Sequence, residues 1–287
     1  MRVGVRDLRG RRCLITGAAG GIGRATAIAA AEKGAVLFLT DIQAEALESV
    51  AAEIRGAGGA VAYAKASDVA DHEAIVAMAA EVHEAHGSMD VVMNVAGVST
   101  WGTIERLRYS DWQKMVDVDL MGPIGVLECF VPPMIEAGRG GHVVNVASAA
   151  GLFGFPWHAA YSAAKFGLRG VSEVLRTDLR RHRIGVSLVC PGAVRTPLVE
   201  TVEVLGVDRE SPAMQRLLEG FDRRAVSAEH VAAKILAGIE RNRFMVFTSA
   251  DIHALYLVQR YAPPLYRLAM RVLDRELNKA AASSSEG

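Results

Sequence analysis

Residues 13–23 of this chain read CLITGAAGGIG, and residues 24–33 that follow are rich in alanine and other helix formers. An apolar run, a glycine-rich turn and a helix in this order are typical of a nucleotide-binding unit. The glycines permit a tight turn and let a pyrophosphate approach the N–H groups at the start of the helix. For this stretch taken alone, a tight strand-to-helix connection without a ligand is the alternative.

The next apolar run, residues 35–40, ends at Asp41, about 20 residues beyond the glycines. A carboxylate at this place suits the hydroxyl groups of an adenosine ribose. Because it would repel a 2′-phosphate, Asp41 favours NAD over NADP as the cofactor.

Strand and helix patterns alternate along the rest of the chain. Apolar runs predict strands at residues 60–66, 91–93, 142–147, 185–190 and 244–247, and helical patterns occupy residues 44–55, 71–86, 110–137, 158–181 and 227–241. We therefore predict an α/β fold, a Rossmann-like doubly wound parallel sheet in a single domain. Pro123 is expected to disturb the long helix at 110–137.

Composition limits the class of protein. The chain has 287 residues, and Lys+Arg and Asp+Glu both number 32, so no overall charge attracts nucleic acid. Cys13, Cys129 and Cys190 lie in apolar runs, which indicates buried thiols in a reducing, cytoplasmic compartment and no disulfide or metal framework. We expect neither a signal peptide nor a spanning helix, since no uninterrupted apolar run reaches about 18 residues.

Another group of residues is suited to acid–base chemistry. Tyr161 and Lys165 are four positions apart in a helical stretch and so share one face. A nearby ammonium favours the phenolate, so we expect the pKa of Tyr161 to be lowered. Ser148 follows the strand at 142–147 and is expected in the crevice at the same edge of the sheet. Taken alone, a Tyr–Lys pair at this spacing is also common on ordinary helix surfaces.

Two further strand ends carry polar or small residues. Asp68 follows the strand at 60–66, where it either accepts a hydrogen bond from an adenine amino group or caps the next helix. The small residues at 94–97 let a flat ligand lie against the backbone.

Together these motifs resemble those of the short-chain dehydrogenase/reductase family. Thr16-Gly17-x-x-x-Gly21-Ile22-Gly23 is similar to its cofactor motif, and Asn94-Val95-Ala96-Gly97 is similar to its Asn-Asn-Ala-Gly motif. Ser148, Tyr161 and Lys165 match the catalytic positions, and residues 191–196 match the loop beside the nicotinamide carboxamide. The resemblance covers residues 8–248, the expected catalytic domain, and leaves a helical extension at 249–287.

The resemblance implies a role for each matched residue. Tyr161 is expected to be the general acid/base, Lys165 to hold the nicotinamide ribose and keep the tyrosine acidic, and Ser148 to orient the substrate oxygen. Hydride would pass between the nicotinamide ring and the substrate carbon. Tyr161 and Lys165 are also expected to contact the cofactor, together with Gly17, Gly21, Ile22, Gly23, Asp41, Asp68, Val69, Asn94, Ala96, Gly97, Pro191, Gly192, Val194 and Thr196. The family also implies a homodimer or homotetramer paired through the two long helices.

One residue departs from the family pattern. Asp119 stands where members usually carry an Asn, which holds a water that relays protons to the lysine. Asp119 can accept from that water but lacks the amide donor, and its charge favours a protonated Lys165. We hypothesise that Asp119 serves the relay, and the alternative is a buried carboxylate that holds the helix bend.

The residues that face the substrate are marked less clearly. The candidates suit a hydrophobic alcohol or ketone, although each also suits core or interface packing, and they are Ser99, Trp101, Phe153, Trp157 and His158. For His158, capping or packing is favoured over a second catalytic role. Residues 197–221 have mixed polarity and weak periodicity, which we interpret as a mobile lid over the crevice.

The tail is predicted to contain an amphipathic helix at residues 265–279, after a break at Pro263 and Pro264. Its apolar side carries Leu265, Leu268, Ala269, Val272 and Leu273, and a drifting basic stripe carries Arg267, Arg271, Arg275 and Lys279. Packing on its own domain or across a subunit interface is favoured, and peripheral contact with a membrane is the alternative.

The favoured function is NAD-dependent oxidation of a hydrophobic secondary alcohol, or the reverse reduction. An NADP-linked 3-oxoacyl or other ketone reductase is the alternative enzyme, and Asp41 argues against it. A dinucleotide-binding regulator without turnover is the alternative from another class, and the intact set of Ser148, Tyr161 and Lys165 argues against it.

Overall fold

The computed structural model describes residues 3–197, 202–207 and 211–284. Its centre is a seven-stranded parallel sheet in the order β11-β7-β6-β4-β1-β2-β3. These strands are β1 (Arg12–Thr16), β2 (Val36–Asp41), β3 (Ala60–Ala66), β4 (Val91–Asn94), β6 (Gly141–Val146), β7 (Ile184–Cys190) and β11 (Met245–Phe247). Two short pairs lie outside it, namely β5 (Thr100–Trp101) with β9 (Glu203–Val204), and β8 (Val194–Arg195) with β10 (Val226–Ser227).

Helices cover both faces of the sheet. They are α1 (Gly21–Glu32), α2 (Ala44–Gly56), α3 (His72–His86), α4 (Tyr109–Val116), α5 (Gly122–Glu136), α6 (Ala159–Asp178), α7 (Pro212–Arg224), α8 (Ala228–Glu240), α9 (Ala250–Tyr261) and α10 (Pro263–Ser284). Successive strand residues point to opposite faces, so Leu37 packs with α1, α2 and α8 while Phe38 packs with α3 and α5. Burial on both faces explains the unbroken apolar runs of the central strands. The predicted α/β, Rossmann-like doubly wound sheet is confirmed.

The long helix predicted at 110–137 is interrupted. A π-helical turn, Asp117–Met121, separates α4 from α5, and the N–H of Gly122 donates to the carbonyl of Asp117, five residues back. Pro123 lies in the first turn of α5. Proline has no N–H to give to the carbonyl four residues back, and its ring would clash there, so the helix widens at this point. The expected disturbance at Pro123 is thus a bulge that carries Asp119.

Residues 197–221, interpreted as a mobile lid, contain a short strand and a helix in their described part, and the motion of this lid stays a prediction. Glu203–Val204 pairs with Thr100–Trp101, and α7 begins after Ser211, whose Oγ accepts the N–H of Met214 at 3.3 Å. Met214, Leu217, Leu218 and Phe221 recur at the helical spacing i, i+3, i+4, i+7, a signal that the sequence analysis did not use. Residues 198–201 and 208–210, which also belong to this predicted lid, lie outside the described part of the chain.

The C-terminal extension consists of two helices, α9 and α10, which meet at the predicted break before Pro263. Ile252 of α9 and Tyr266 of α10 belong to a cluster with the fully buried Phe153. One face of the extension therefore packs on its own domain, as the sequence analysis favoured.

One helical segment, Tyr109–Glu136, is long and apolar enough to cross a membrane by length and composition alone. Half of its most apolar window is buried inside the domain. Met115, Phe130 and Met134 lie in the core, so packing within the domain explains this apolar character.

Candidate active site

The glycine turn joins β1 to α1 and leaves no room for a side chain at Gly17, Gly21 or Gly23. Gly17 has φ +67°, and a Cβ on it would lie 2.7 Å from Cα of Ala96. A Cβ on Gly23 would lie 1.9 Å from the carbonyl oxygen of Gly17, and one on Gly21 would lie 3.1 Å from Cγ2 of Thr196. The turn is thus bare backbone that leads into a helix N-terminus, an arrangement suited to a pyrophosphate.

Thr16 ties this turn to the end of β4. Its Oγ1 accepts the N–H groups of Val95 at 3.0 Å and Ala96 at 3.1 Å. The sequence analysis gave Thr16 no role beyond its place in the motif. A hydroxyl at the last position of an otherwise apolar strand was the signal. Ile22 packs partly against the core beneath the turn.

Asp41 lies at the end of β2 beside the glycine turn. Its carboxylate accepts the N–H of Ala19 at 2.9 Å and the N–H of Gln43 at 3.0 Å. The side chain is therefore held at the place where the sequence analysis expects an adenosine ribose.

Asp68 does not cap the helix that follows it. The cap of α3 is Asp71, whose Oδ1 accepts the N–H of Ala74 at 3.1 Å, while the exposed Asp68 accepts the N–H of Ala70 at 2.9 Å. Val69 is buried, and a Cβ on Gly122 would lie 3.0 Å from its Cγ2. The side chain of Val69 thus belongs to the core, and its expected contact with an adenine stays a prediction.

Asn94 begins a buried polar chain that the sequence analysis missed. Its Nδ2 donates to Oδ1 of Asn145 at 2.9 Å, Nδ2 of Asn145 donates to Oγ of Ser172 at 2.9 Å, and that hydroxyl donates to the carbonyl of Leu168 at 2.7 Å. Within the described residues Oδ1 of Asn94 has no partner although it is buried. Such an atom is suited to a ligand or an ordered water.

Tyr161, Lys165 and Ser148 come together at the carboxyl edge of the sheet. Tyr161 and Lys165 lie one turn apart on α6 and are both buried, with Nζ of Lys165 5.6 Å from the centroid of the phenol ring. Ser148 follows β6, and its hydroxyl lies near enough to the phenol to lower the pKa of Tyr161. Its Oγ also accepts the N–H of Ala150 at 3.1 Å. These three residues are therefore neighbours, as the family resemblance implies.

Asp119 contacts Lys165 directly. Its Oδ1 lies 3.1 Å from Nζ of Lys165 and accepts the N–H of Val98 at 3.1 Å. A Cβ on Gly97 would lie 2.7 Å from the same oxygen, so only glycine fits between them. Oδ2 of Asp119 is buried without a partner in the described residues, which suits an ordered water. The relay through that water stays a prediction.

The expected acidity of the phenol is wrong for the protein alone. Burial raises the pKa of Tyr161, and although Lys165 lowers it, the negative charge of Asp119 raises it further. Burial disfavours the Lys165 cation, but Asp119 and Tyr161 outweigh this effect and raise the pKa of Lys165. The sequence analysis foresaw that the Asp119 charge favours a protonated Lys165, but it did not account for the removal of water from the phenol, which is the largest cause of the raised pKa.

The loop after β7 borders the crevice on the side away from β4. The carbonyl of Pro191 accepts the N–H of Ala149 at 2.7 Å, and a Cβ on Gly192 would lie 2.8 Å from Cγ1 of Ile252 in α9. Val194 is buried, and its strand β8 pairs with β10. Thr196, as noted above, lies against Gly21, so this loop reaches back to the glycine turn.

The five candidate substrate-facing residues divide into two groups. Phe153 is fully buried in the core beside Tyr266, which corrects its interpretation as a substrate contact. Trp157 is also largely buried, and its Nε1 donates to Oδ1 of Asn278 at 3.3 Å. Sequence reasoning had no way to find that contact, because Asn278 is 121 positions away. Ser99, Trp101 and His158 lie together beside Tyr161.

Within residues 3–197, 202–207 and 211–284, no group of three or more His, Cys, Asp or Glu side chains could hold a metal ion. The candidate site therefore rests on the glycine turn, the strand ends and the buried Tyr–Lys–Asp group.

Comparison with known proteins agrees with this geometry. The family model described as short chain dehydrogenase matches residues 11–204. The putative oxidoreductase SadH of Mycobacterium tuberculosis is 34% identical over 265 residues, which is 91% of this chain and 94% of that protein.

Two solved structures of the same type were determined with different cofactors. A short-chain dehydrogenase/reductase of Burkholderia phymatum in complex with NAD has a TM-score of 0.81 and 29% identity over 91% of this chain and 96% of that one. A metagenomic short-chain oxidoreductase in complex with NADP has a TM-score of 0.66 and 32% identity over 84% of this chain and 96% of that one.

Proposed function

The chain belongs to the short-chain dehydrogenase/reductase family of oxidoreductases, and on that premise we propose that it transfers a hydride between NAD(H) and a hydrophobic secondary alcohol or ketone. The observation that carries the proposal is the buried group at the carboxyl edge of the sheet. Tyr161, Lys165 and Asp119 are all buried, Lys165 contacts Asp119 at 3.1 Å, and the nearby Ser148 hydroxyl lowers the pKa of the phenol.

The residues present fit a dinucleotide. The glycine turn offers bare backbone at a helix N-terminus, and Oδ1 of Asn94 is a buried acceptor without a partner in the described residues. When bound, the nicotinamide supplies the carbon that gives or accepts the hydride. Lys165 would hold the adjoining ribose, and the carboxylate of Asp41 would accept hydrogen bonds from the hydroxyls of the other ribose.

Tyr161 moves the proton in this proposal. Because burial and Asp119 raise its pKa, the phenol holds its proton in the protein alone and is the acid that ketone reduction requires. Ser148 orients the substrate oxygen toward that phenol. Alcohol oxidation needs the phenolate, so its rate should rise with pH while ketone reduction falls.

NAD is the proposed cofactor, and NADP is the alternative. Asp41 is fixed by two backbone N–H groups, so its charge cannot easily turn away from a 2′-phosphate. Arg24, in the first turn of α1, could have offset this charge, but it is paired with Glu53 at 2.7 Å. Dissociation constants of NADH and NADPH, measured by nucleotide fluorescence, would distinguish the two.

The function is tested by a cofactor-reduction screen against secondary alcohols graded in size and polarity. We expect NAD-dependent turnover that falls by about two to four orders of magnitude in Tyr161→Phe. Tyr63→Phe, which removes a surface hydroxyl bonded to Glu81, is the matched control. A protein that binds NADH but turns over no alcohol or ketone would instead be a dinucleotide-binding regulator.

We also propose a homodimer or homotetramer. Large apolar side chains are exposed on the long helices, among them Tyr109, Met121, Phe166 and Val174. Light scattering should show an oligomer that Phe166→Asp weakens.

A cytoplasmic location is proposed on the free thiols of Cys13, Cys129 and Cys190, and cell fractionation tests it.

Peripheral membrane contact is the remaining proposal for the extension. Leu265, Leu268 and Val272 of α10 are exposed on the side opposite the buried Leu277, and Arg271 and Arg275 flank them. An apolar strip beside arginines suits an anionic bilayer surface. Sedimentation with anionic liposomes should carry the full chain down, and Leu268→Glu should remain in solution.

A further inference from the structure

Three side chains form a small wall next to the phenol. Nε1 of Trp101 donates to Oγ of Ser99 at 2.8 Å, and the indole lies against the imidazole of His158 with ring centroids 4.6 Å apart. The backbone holds this contact, because the N–H of Gly102 donates to the carbonyl of Trp157 at 2.8 Å. Ser99, Trp101 and His158, called here the polar wall, are thus held in fixed relation.

The protonation of His158 follows from its contact with the backbone. Nδ1 lies 2.7 Å from the carbonyl oxygen of Pro156. A carbonyl only accepts, so the proton must be on Nδ1 and Nε2 carries a lone pair. Burial lowers the pKa of this imidazole to about 4, so the ring is neutral near pH 7. Nε2 is therefore an acceptor, and it has no hydrogen-bond partner among residues 3–197, 202–207 and 211–284.

Ser99 offers the complementary function. Its Oγ already accepts the indole N–H of Trp101, so the proton of its hydroxyl is the group left to donate. The polar wall thus presents one acceptor and one donor joined by an indole ring. A hydroxyl group, which donates and accepts at once, matches this pair better than an apolar chain or a carboxylate would.

The polar wall lies beside Tyr161. The imidazole of His158 and the phenol ring of Tyr161 have centroids 6.5 Å apart. Ser99 is two residues beyond Gly97, at which a Cβ would lie 3.3 Å from Nζ of Lys165. The His158 end of the wall is therefore close to the phenol, and Ser99 follows the chain segment that passes Lys165.

We propose that Ser99 and His158 form a second binding subsite for a hydroxyl group on a carbon close to the reacting one. The preferred substrate is then a vicinal diol or an α-hydroxy ketone with an apolar remainder. This inference rests on the proposed function and narrows its substrate class. In it, Trp101 is a positioning residue that holds the two polar groups.

The test compares two alcohols that differ only in the second hydroxyl, butane-2,3-diol and butan-2-ol, with NAD. Loss of one hydrogen bond to the half-buried imidazole should lower the diol preference, the ratio of the two kcat/KM values, about tenfold to hundredfold in His158→Phe. His158→Gln places an amide oxygen near the position of Nε2 and should restore part of that preference. Ser99→Ala should lower it as well.

Equal losses on both alcohols in His158→Phe and Ser99→Ala would overturn the subsite and leave packing as their role. A second readout does not depend on turnover. In protein labelled with 15N-histidine, His158, assigned by its loss in His158→Gln, should show the Nδ1–H form. Its Nε2 resonance should move with the diol and stay in place with butan-2-ol.

An Nε2–H form, or no response to the diol, would also overturn the subsite. If the wild-type protein oxidises no alcohol while Nε2 still responds to the diol, the proposed function fails and the subsite stands. The two failures are thus distinguishable.

Discussion

Nζ of Lys165 lies 3.1 Å from Oδ1 of Asp119, and both side chains are buried. The pair joins the catalytic helix α6 to the π-helical turn between α4 and α5. Because a buried charge without a partner is costly, each residue depends on the other to remain ionised.

Removal of the Asp119 charge should separate its structural and its chemical effects. Asp119→Ala leaves the Lys165 cation buried and unpaired, so we expect a loss of about 3–5 kcal/mol in the free energy of unfolding. Asp119→Asn should lose less stability, because the amide oxygen can still accept from Lys165. Since the Asp119 charge raises the pKa of Tyr161, Asp119→Asn should also move the pH–rate profile of alcohol oxidation to lower pH. An unchanged profile would make Asp119 only a structural residue.

Asp41 should set the choice of cofactor. In Asp41→Asn the repulsion of a 2′-phosphate is lost and a charged acceptor for the ribose becomes neutral. We expect NADH affinity to fall about tenfold and the preference over NADPH to shrink by more than that. Glu73→Gln is the matched control, since Glu73 is an exposed acidic residue in the first turn of α3 with no expected cofactor contact. Equal effects of the two variants would contradict a special role for Asp41.

Two glycines of the turn should differ in how replacement by alanine affects cofactor binding. A Cβ on Gly23 would lie 1.9 Å from the carbonyl oxygen of Gly17, so Gly23→Ala must displace the turn. We expect loss of cofactor binding by calorimetry and a lower melting temperature. A Cβ on Gly20 meets nothing within 4 Å, and its φ of −155° suits any residue, so Gly20→Ala should bind cofactor normally.

Acid should destabilise the fold through His142. Its ring is buried, and Nε2 donates to Oγ of Ser187 at 2.9 Å because that hydroxyl already donates to the carbonyl of Arg243 at 2.6 Å. Nδ1 is buried without a partner in the described residues, and burial lowers the pKa of the imidazole to about 3.

The direction in which stability changes with pH follows from this lowered pKa. The unfolded imidazole binds a proton near pH 6.5, so its contribution to stability is complete above that pH. The contribution is lost as pH falls toward the folded value, at up to about 1.4 kcal/mol per pH unit. Denaturant titrations at several pH values between 7 and 4 give the free energy of unfolding as a function of pH. This free energy should fall less steeply with falling pH in His142→Gln, whereas His253→Gln, at an exposed position, should retain the wild-type dependence.

The local elements of the fold were predictable from the sequence. Residues 13–23 predicted a strand and a glycine turn that leads into a helix. The alternation of apolar runs with helical patterns predicted the parallel sheet. Helix α7 was missed although Met214, Leu217, Leu218 and Phe221 follow the spacing of an amphipathic helix, because the polar residues around them hid this pattern. The π-helical turn was foreseen only as a disturbance at Pro123, since its form depends on how the flanking helices pack.

The site divides in the same way. The sequence by itself determined that Tyr161 and Lys165 share one helix face, because a helix turn of 3.6 residues is a local property. Only the tertiary structure decided the direction of the phenol pKa, the partner of Lys165 and the tautomer of His158. The first two depend on burial and on groups brought close by folding from distant positions. The tautomer depends on how the loop before α6 directs the imidazole onto the carbonyl of Pro156, so none of the three is encoded in residue spacing.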